Sequence, residues 1–265
     1  MRKLLLTTVC VTALAVSANA TDFTLSGTGK IKIDDDGNTS VSLTTSVGVS
    51  KTFDNGIVAS YTHNLNSAAS EMKITSDAIS ITFGDIDQNA QAPGLNGDAA
   101  ASDIASEGIN EALGTPGENA GAISMGATVA GIGIGAATNN NGDTQFGASI
   151  VTDMLGMSIK FGGDVYNDAD NATADQTAAG IQATLGSLVM VASSVSVSDS
   201  NASTDVMSYS ASYTMGGLVL GFQGNDAEAS SYSATYTIVP GMQFELGSKD
   251  NGTVSTSSGE LQLTF

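Results

Sequence analysis

The chain is poor in the side chains on which enzymes and redox proteins depend. It contains one cysteine, one histidine and no tryptophan among 265 residues. Cys10 lies inside an N-terminal apolar run that we expect to be removed, so the processed protein would have no thiol chemistry. His63 alone gives little support to acid–base catalysis. We therefore expect a protein that is not an enzyme.

Basic residues are also scarce. Lysine and arginine together number 8, against 27 aspartate and glutamate residues, which gives a formal net charge of −19. Removal of the first twenty residues, with Arg2 and Lys3, would leave 6 − 27 = −21. Nucleic-acid-binding proteins present basic surfaces, so this composition excludes nucleic acid as a partner.

Two apolar runs need separate interpretation, and the first is at the N-terminus. Residues 1–20, MRKLLLTTVCVTALAVSANA, combine Arg2 and Lys3 with a central apolar run and a small-residue ending at Ala20. This pattern is typical of a secretory signal peptide, and the run is too short to cross a membrane as a helix. We predict export, with cleavage after Ala20 and a single domain over residues 21–265.

The rest of the chain is too apolar to be disordered. Hydrophobic residues make up 41% of the sequence and charged residues 13%, a balance that indicates a large ordered structure despite the acidity. With 31 glycines, 3 prolines and abundant serine, threonine, alanine and valine, the composition favours strands and turns over helices.

Apolar and polar residues alternate with a period of two in sixteen short segments. The segments are 22–33, 39–51, 56–65, 70–75, 78–85, 121–129, 131–139, 144–152, 156–165, 177–185, 188–197, 205–214, 217–224, 230–238, 241–249 and 257–265. The connections alternate in strict order between tight turns, such as DNG at 54–56, and roomier loops, such as NNNGD at 139–143. That order is typical of outer-membrane barrels. We predict an all-β fold, a transmembrane antiparallel β-barrel of about sixteen strands.

The second uncharged run, AGAISMGATVAGIGIGAA at 120–137, has the length of a membrane helix. It also contains five glycines, each of which costs a helix about 1 kcal/mol relative to alanine. Its GIGIG segment alternates, and a turn at Ala130 and Gly131 would restore an even strand count. We therefore predict a β-hairpin. GIGIG also lacks the strand–turn–helix context that a nucleotide-binding fingerprint needs.

Three stretches resemble segments of Gram-negative porins, in particular the short alphaproteobacterial ones. EMKITSDAISITFGDID at 71–87 resembles the fourth and fifth strands of that family up to its third loop, and ATVAGIGIGAAT at 127–138 resembles the following hairpin. LQLTF at 261–265 resembles the C-terminal signal that the outer-membrane assembly machinery reads. The resemblance implies a sixteen-stranded barrel in the outer membrane, usually a homotrimer, whose third loop folds inward as a constriction. It also implies passive diffusion of small hydrophilic solutes.

The terminal strand ends on an apolar residue. In GELQLTF, Leu261, Leu263 and Phe265 alternate with polar residues. We expect Phe265 to face lipid at the periplasmic interface, where aromatic girdles lie, and its strand to pair with the first one.

Four lysines have the polar parity of their segments, so we expect them to line the pore. These pore-lining basic residues are Lys30, Lys32, Lys73 and Lys160. Glu245 and Glu260 are predicted to face inward too. The lysines could be solvated wall charges or could take part in the constriction. The porin family often keeps basic residues on the strands of the first three, usually arginine, and the processed chain has no arginine.

The segment 86–120 is strongly acidic and contains no lysine or arginine. A loop of this length is uncommon unless it is functional. We predict that it forms the inward-folded acidic third loop, and the alternative is an extracellular flap outside the bore. The predicted constriction residues are Asp98, Asp103, Glu107, Glu111 and Glu118.

No cofactor is expected, and no metal ligand set can be assigned from the sequence. DDDGN at 34–38 and DADNATAD at 168–175 are acidic, but neither has the spacing of an EF-hand loop with its terminal glutamate. Loose association of Ca²⁺ or Mg²⁺ with such loops is compatible with their charge. His63 shares the parity of Tyr61, which predicts that it faces lipid near the outer interface.

Two other functions remain compatible with the sequence. One is a substrate-specific outer-membrane channel, and the other is a secreted acidic surface protein such as an adhesin. Repeats of fixed length would favour a solenoid adhesin, and the sequence contains none. The acidic loops, set against few lumenal lysines, predict a cation-selective porin whose partners are outer-membrane lipid and small hydrophilic solutes.

Overall fold

The computed structural model describes residues 21–67, 70–84, 122–167, 169, 175–198, 203–226 and 228–265. Within these ranges the chain forms sixteen antiparallel strands that close into one barrel. The strands are β1 (Thr21–Asp34), β2 (Thr39–Thr52), β3 (Val58–Asn64), β4 (Ser70–Thr75), β5 (Ile79–Gly84), β6 (Ala122–Val129), β7 (Ile132–Thr138), β8 (Thr144–Met154), β9 (Met157–Asn167), β10 (Asp175–Leu185), β11 (Leu188–Ser198), β12 (Ser203–Met215), β13 (Leu218–Asn225), β14 (Ser230–Val239), β15 (Met242–Asp250) and β16 (Ser255–Thr264). No helix in the described ranges is both long and apolar enough to cross a membrane.

The barrel closes between its first and last strands. β1 pairs with β16 from Thr28 opposite Thr264 to Asp34 opposite Ser258. Just beyond this ladder, the Gly27 amide donates to the Phe265 carbonyl at 2.9 Å, and the Phe265 amide donates to the Gly27 carbonyl at 3.0 Å. The last residue of the chain is therefore held in the sheet. Closure removes the free edge whose unpaired groups would each cost several kcal/mol in a bilayer.

Tight turns on one rim set the register of the hairpins. At Ala130–Gly131 the φ angles are 51° and 79°, and at Leu155–Gly156 they are 56° and 78°. Positive φ at both residues is typical of the type I′ turn, whose twist matches that of paired strands. The first of these turns joins β6 to β7, and the two strands pair from Ile123 opposite Thr138 down to Val129 opposite Ile132.

The two faces of the sheet differ in size and polarity of their side chains. On the outer face, Ile132, Ile150, Phe161 and Ile181 form a continuous row across β7 to β10, and each is more than a third exposed. The opposite parity points into the barrel, where the curvature of the wall brings neighbouring side chains closer together than on the outside. An apolar exterior and a predominantly polar interior are what a bilayer and a water-filled lumen require.

Aromatic side chains cluster on the outer face of β12 to β14. The Phe222 ring lies 5.8 Å from the Tyr209 ring and 5.1 Å from the Tyr232 ring, measured between centroids. Tyrosine combines an apolar ring with a polar hydroxyl, which suits positions at the edge of the apolar band. The ring contacts in this row stabilise the packing of neighbouring strands. The chain contains no tryptophan, so tyrosine and phenylalanine are the aromatic residues of the outer face.

The predicted fold class is confirmed. All sixteen predicted segments correspond to strands, and the part of 120–137 within the described residues is the β6–β7 hairpin. From β3 onward, shorter and longer connections alternate as predicted. The connection at 53–57, predicted to be tight, is however one residue longer than the loop at 35–38. The predicted signal peptide at 1–20 and the predicted inward-folded third loop at 86–120 lie outside the described residues.

Candidate pore lining

The lumen is too wide for side chains to fill. Sixteen strands about 4.8 Å apart, tilted by about 40°, give a circumference of roughly 100 Å and a radius of about 16 Å. Barrels of this size enclose water. The inner-parity side chains of the strands are therefore the candidate functional site, because any solute crossing the barrel would pass them.

On β1, Lys30 and Lys32 lie on the inner face beside the carboxylates of the closing strands. The Lys30 ammonium lies 3.2 Å from Oε1 of Glu260. Glu260 is the direct cross-strand partner of both Lys32 on β1 and Glu245 on β15. Glu245 and Glu260 are 5% and 7% exposed, so the two predicted basic residues belong to a mixed, packed charge cluster.

Amide side chains occupy the next inner-facing positions of these strands, two residues from Glu260 and Glu245. Gln262 lies opposite Lys30 on β1 and opposite Gln243 on β15. The Gln243 amide donates to Oε1 of Gln262 at 3.2 Å. The inner wall at the barrel closure is therefore an ordered layer in which charged residues adjoin hydrogen-bonded amides.

On β4, Lys73 has small polar neighbours on both sides. Its cross-strand partners are Ser60 on β3 and the buried Thr82 on β5. Glu71 shares its parity two residues away, opposite Thr62 and Gly84. Lys73 is thus on the inner face, in a region whose neighbouring hydroxyl side chains leave room for its long side chain.

On β9, Lys160 lies on the inner face below a buried carboxylate. Asp164, four residues further along the same strand, is 3% exposed and accepts a hydrogen bond from the Gln145 amide at 3.4 Å. Gly147 lies directly opposite Asp164 on β8, and any Cβ there would collide with the aspartate side chain. The glycine provides the space for this carboxylate within the wall.

Several inner-wall charges were absent from the sequence-based prediction. Lys249 lies on the inner parity of β15, opposite the fully buried Ser231. The sequence could have predicted this, because Lys249 lies four residues after Glu245 and residues at even spacing on a strand share a face. Glu71 and Asp164 could have been found in the same way, from their even spacing relative to Lys73 and Lys160.

Across the described strands, inner-parity positions carry five lysines and seven carboxylates, 5 − 7 = −2. The lysines are Lys30, Lys32, Lys73, Lys160 and Lys249. The carboxylates are Asp22, Asp34, Glu71, Asp153, Asp164, Glu245 and Glu260. The wall is therefore not a basic surface, although four of its lysines were predicted as a basic lining.

One strand departs from the rule that the apolar parity faces lipid. On β11, Val191 and Val195 point inward and are each 5% exposed, and Val195 packs against Tyr166 and Ala178. The outer parity instead begins with Leu188, Met190 and Ala192 and continues with serines. The two-residue turn after β10 pairs Leu185 with Leu188 on the outer face, and because parity is strict, the valines are then placed inside.

The predicted constriction residues Asp98, Asp103, Glu107, Glu111 and Glu118 lie outside the described residues. No group of three or more potential metal-binding side chains occurs within the described ranges. His63 lies on the outer face, with Nδ1 2.8 Å from the Ser70 hydroxyl. The Tyr61 hydroxyl donates to the same oxygen at 3.3 Å. The histidine thus belongs to a small polar group on the exterior of the barrel.

The fold resembles that of solved porin structures. A double mutant of the porin from Rhodopseudomonas blastica superposes with a TM-score of 0.68, covering 93% of this chain and 100% of that one at 11% identity. A triple mutant of the same porin gives 0.69 with the same identity and coverage. The chain has the porin fold. A further match, described as "Asymmetric conductivity of engineered proteins", gives 0.67 at 12% identity, covering 92% and 100% of the two chains.

The likeness to these porins is one of architecture. No protein-family model and no curated protein sequence matches the chain. At 11% identity the comparison shows the porin fold alone. The roles of this chain's lysines and carboxylates therefore have to be argued from its own geometry.

Proposed function

We propose that the protein is an outer-membrane porin, a water-filled channel through which small hydrophilic solutes and ions diffuse passively. The observation that carries this proposal is the closed sixteen-stranded barrel with an apolar outer face and a mostly polar inner face. A soluble protein would bury large side chains such as Ile150 and Phe161, which are exposed here. In a bilayer the same side chains contact lipid.

We further propose that the channel prefers cations. The inner-parity positions carry more carboxylates than lysines, and the processed chain would have a charge of −21. Carboxylates that line a pore or its mouth concentrate cations. The acidic segment 86–120, acting as an inward loop, would add to this preference.

Planar-bilayer recording of the purified, detergent-extracted protein tests the channel. We expect discrete, long-lived conductance steps that rise in proportion to KCl concentration. Heat-denatured protein from the same preparation is the control. A substrate-specific channel would instead show conductance that is blocked by one solute at low concentration. An adhesin would dissolve without detergent and produce no steps.

Export to the outer membrane of a Gram-negative bacterium and assembly as a homotrimer complete the proposal. Cell fractionation tests the first, and N-terminal sequencing should find Thr21 at the start of the mature chain. For the second, chemical cross-linking in detergent should give a band of three chains. We expect no resident cofactor, and only loose Ca²⁺ or Mg²⁺ association with acidic outer loops such as 34–38.

The acidic segment offers a test of the constriction. Deleting residues 98–113 should raise single-channel conductance while the barrel still assembles, because the removed residues would no longer narrow the bore. The conductance of the deletion variant is compared with wild type in 1 M KCl, and resistance to unfolding in cold detergent reports assembly. Unchanged conductance in an assembled variant would favour the extracellular flap.

A further inference from the structure

Two carboxylates face each other directly across the inner wall. Glu245 on β15 and Glu260 on β16 are cross-strand partners on the same face, which places their Cβ atoms roughly 5 Å apart. Both are more than nine-tenths buried. Like charges in this arrangement repel, so the pair requires a nearby cation.

The required cations come from β1. Lys30 reaches Glu260 at 3.2 Å, and Lys32 is the direct cross-strand partner of Glu260. Around Glu260, two lysines and two glutamates give a net charge of zero. Asp34, the next inner-parity residue of β1, lies outside this patch at the end of the strand, where it accepts hydrogen bonds from Asn38. Without Glu260, the same patch would have a net positive charge and would consist of two lysines and one glutamate.

We propose that Glu260 is a specificity-determining residue of the channel, because it neutralises the lysines of β1 and so prevents the wall at the barrel closure from attracting anions. Glu245 supports it by keeping the patch neutral rather than basic. This inference rests on the proposed channel function. It assigns part of the ion preference to the barrel wall itself, in addition to any contribution of the loops.

The expected size of the effect follows from screened electrostatics. A unit charge in water acts on an ion passing about 8 Å away, and the Debye length at 0.1 M salt is about 10 Å. Changing one wall charge raises the local concentration of one ion and lowers that of the other. Together these changes should alter the cation-to-anion permeability ratio by about twofold.

Reversal potentials across a KCl gradient provide the measurement. Glu260→Gln keeps the shape of the side chain and removes its charge, so the permeability ratio should fall by about twofold at 0.1 M. Lys30→Gln should change the ratio in the opposite direction. The double variant, which removes both partners, should return close to the wild-type ratio because the net charge of the patch is restored.

Asp226→Asn is the matched control, since it removes one carboxylate from an exposed position in an outer loop. At 1 M KCl the Debye length is about 3 Å, shorter than the distance of about 8 Å used above, so both variants should approach the wild-type ratio if the shift at 0.1 M is electrostatic. Heat-modifiable gel mobility would verify that each variant is folded.

The outcomes separate the inference from the proposed function. If the wild-type protein conducts and both single variants keep its permeability ratio at 0.1 M, the assignment of Glu260 is wrong while the channel stands. A double variant that is as shifted as Glu260→Gln would also overturn it, because the effect would then not come from neutralising Lys30. A wild-type protein without conductance would instead refute the channel.

Discussion

At the scale of single residues, a glycine makes room for the last side chain at the closure of the barrel. The Phe265 ring lies over Gly27 on the outer face, so tightly that a Cβ at position 27 would collide with it. Gly29, two residues along on the same face, has open space at the corresponding point. An aromatic ring placed across a strand glycine covers backbone that would otherwise be bare, a device also used in designed sheets. The terminal phenylalanine is thus a packing residue as well as a lipid-facing one.

Replacing Gly27 with valine should therefore weaken the closure. The new methyl groups would displace the Phe265 ring, and we expect a loss of about 1 to 3 kcal/mol in the free energy of unfolding. Gly29→Val is the control and should cost much less, because nothing lies within 4 Å of its Cβ position. Urea unfolding of the refolded protein in detergent micelles measures both. Equal losses would show that the ring contact contributes nothing specific.

At the scale of strands, the alternation of faces can be tested at two neighbouring positions. Leu43 is 56% exposed on the outer face of β2 and lies opposite Gly29, whereas Thr44 lies on the inner parity opposite Thr28. Leu43→Lys should destabilise the barrel in lipid vesicles by about 2 to 4 kcal/mol, because it places a charge in hydrocarbon. Thr44→Lys places the same charge in water and should be far milder. If Thr44→Lys were as harmful as Leu43→Lys, the assignment of the faces would be wrong.

The strands also show what a sequence can and cannot predict about this molecule. Alternation predicted the sixteen strands because each one separates lipid from water, and the tight turns predicted their order. β11 misleads this reasoning, since its valines form the apolar parity and yet point inward beside Tyr166. The pairing of Leu185 with Leu188 decides its register, and such pairing depends on a neighbouring strand. Similarly, the lysines could be placed on the inner face from parity, whereas the contact of Lys30 with Glu260 depends on strands that are far apart in the chain.

At the scale of the whole molecule, charge is distributed unevenly along the pore axis. The roomy loops hold carboxylates such as Asp35 and Asp36, while the barrel wall contains both lysines and carboxylates, with Lys30 in contact with Glu260. Paired charges in the wall produce little field at a distance, so unpaired loop charges should dominate the potential at the mouth. The bore has a radius of about 16 Å. That radius exceeds the Debye length of about 10 Å at 0.1 M salt, so mouth charges act strongly only in dilute salt.

Cation selectivity should therefore fade as salt concentration rises. Reversal potentials across KCl gradients should show cation preference at 0.1 M that declines toward 1 M, where the Debye length is about 3 Å. If Asp103, Glu107 and Glu111 form the proposed constriction, replacing them with their neutral amides should weaken the preference at both concentrations, because a charge there would act on passing ions at contact range. Asp54→Asn, in a tight turn on the opposite rim, is the control and should have a much smaller effect. Anion preference of the wild-type channel at 0.1 M would refute this electrostatic account. A triple variant with unchanged selectivity would instead place the acidic segment away from the path of the ions.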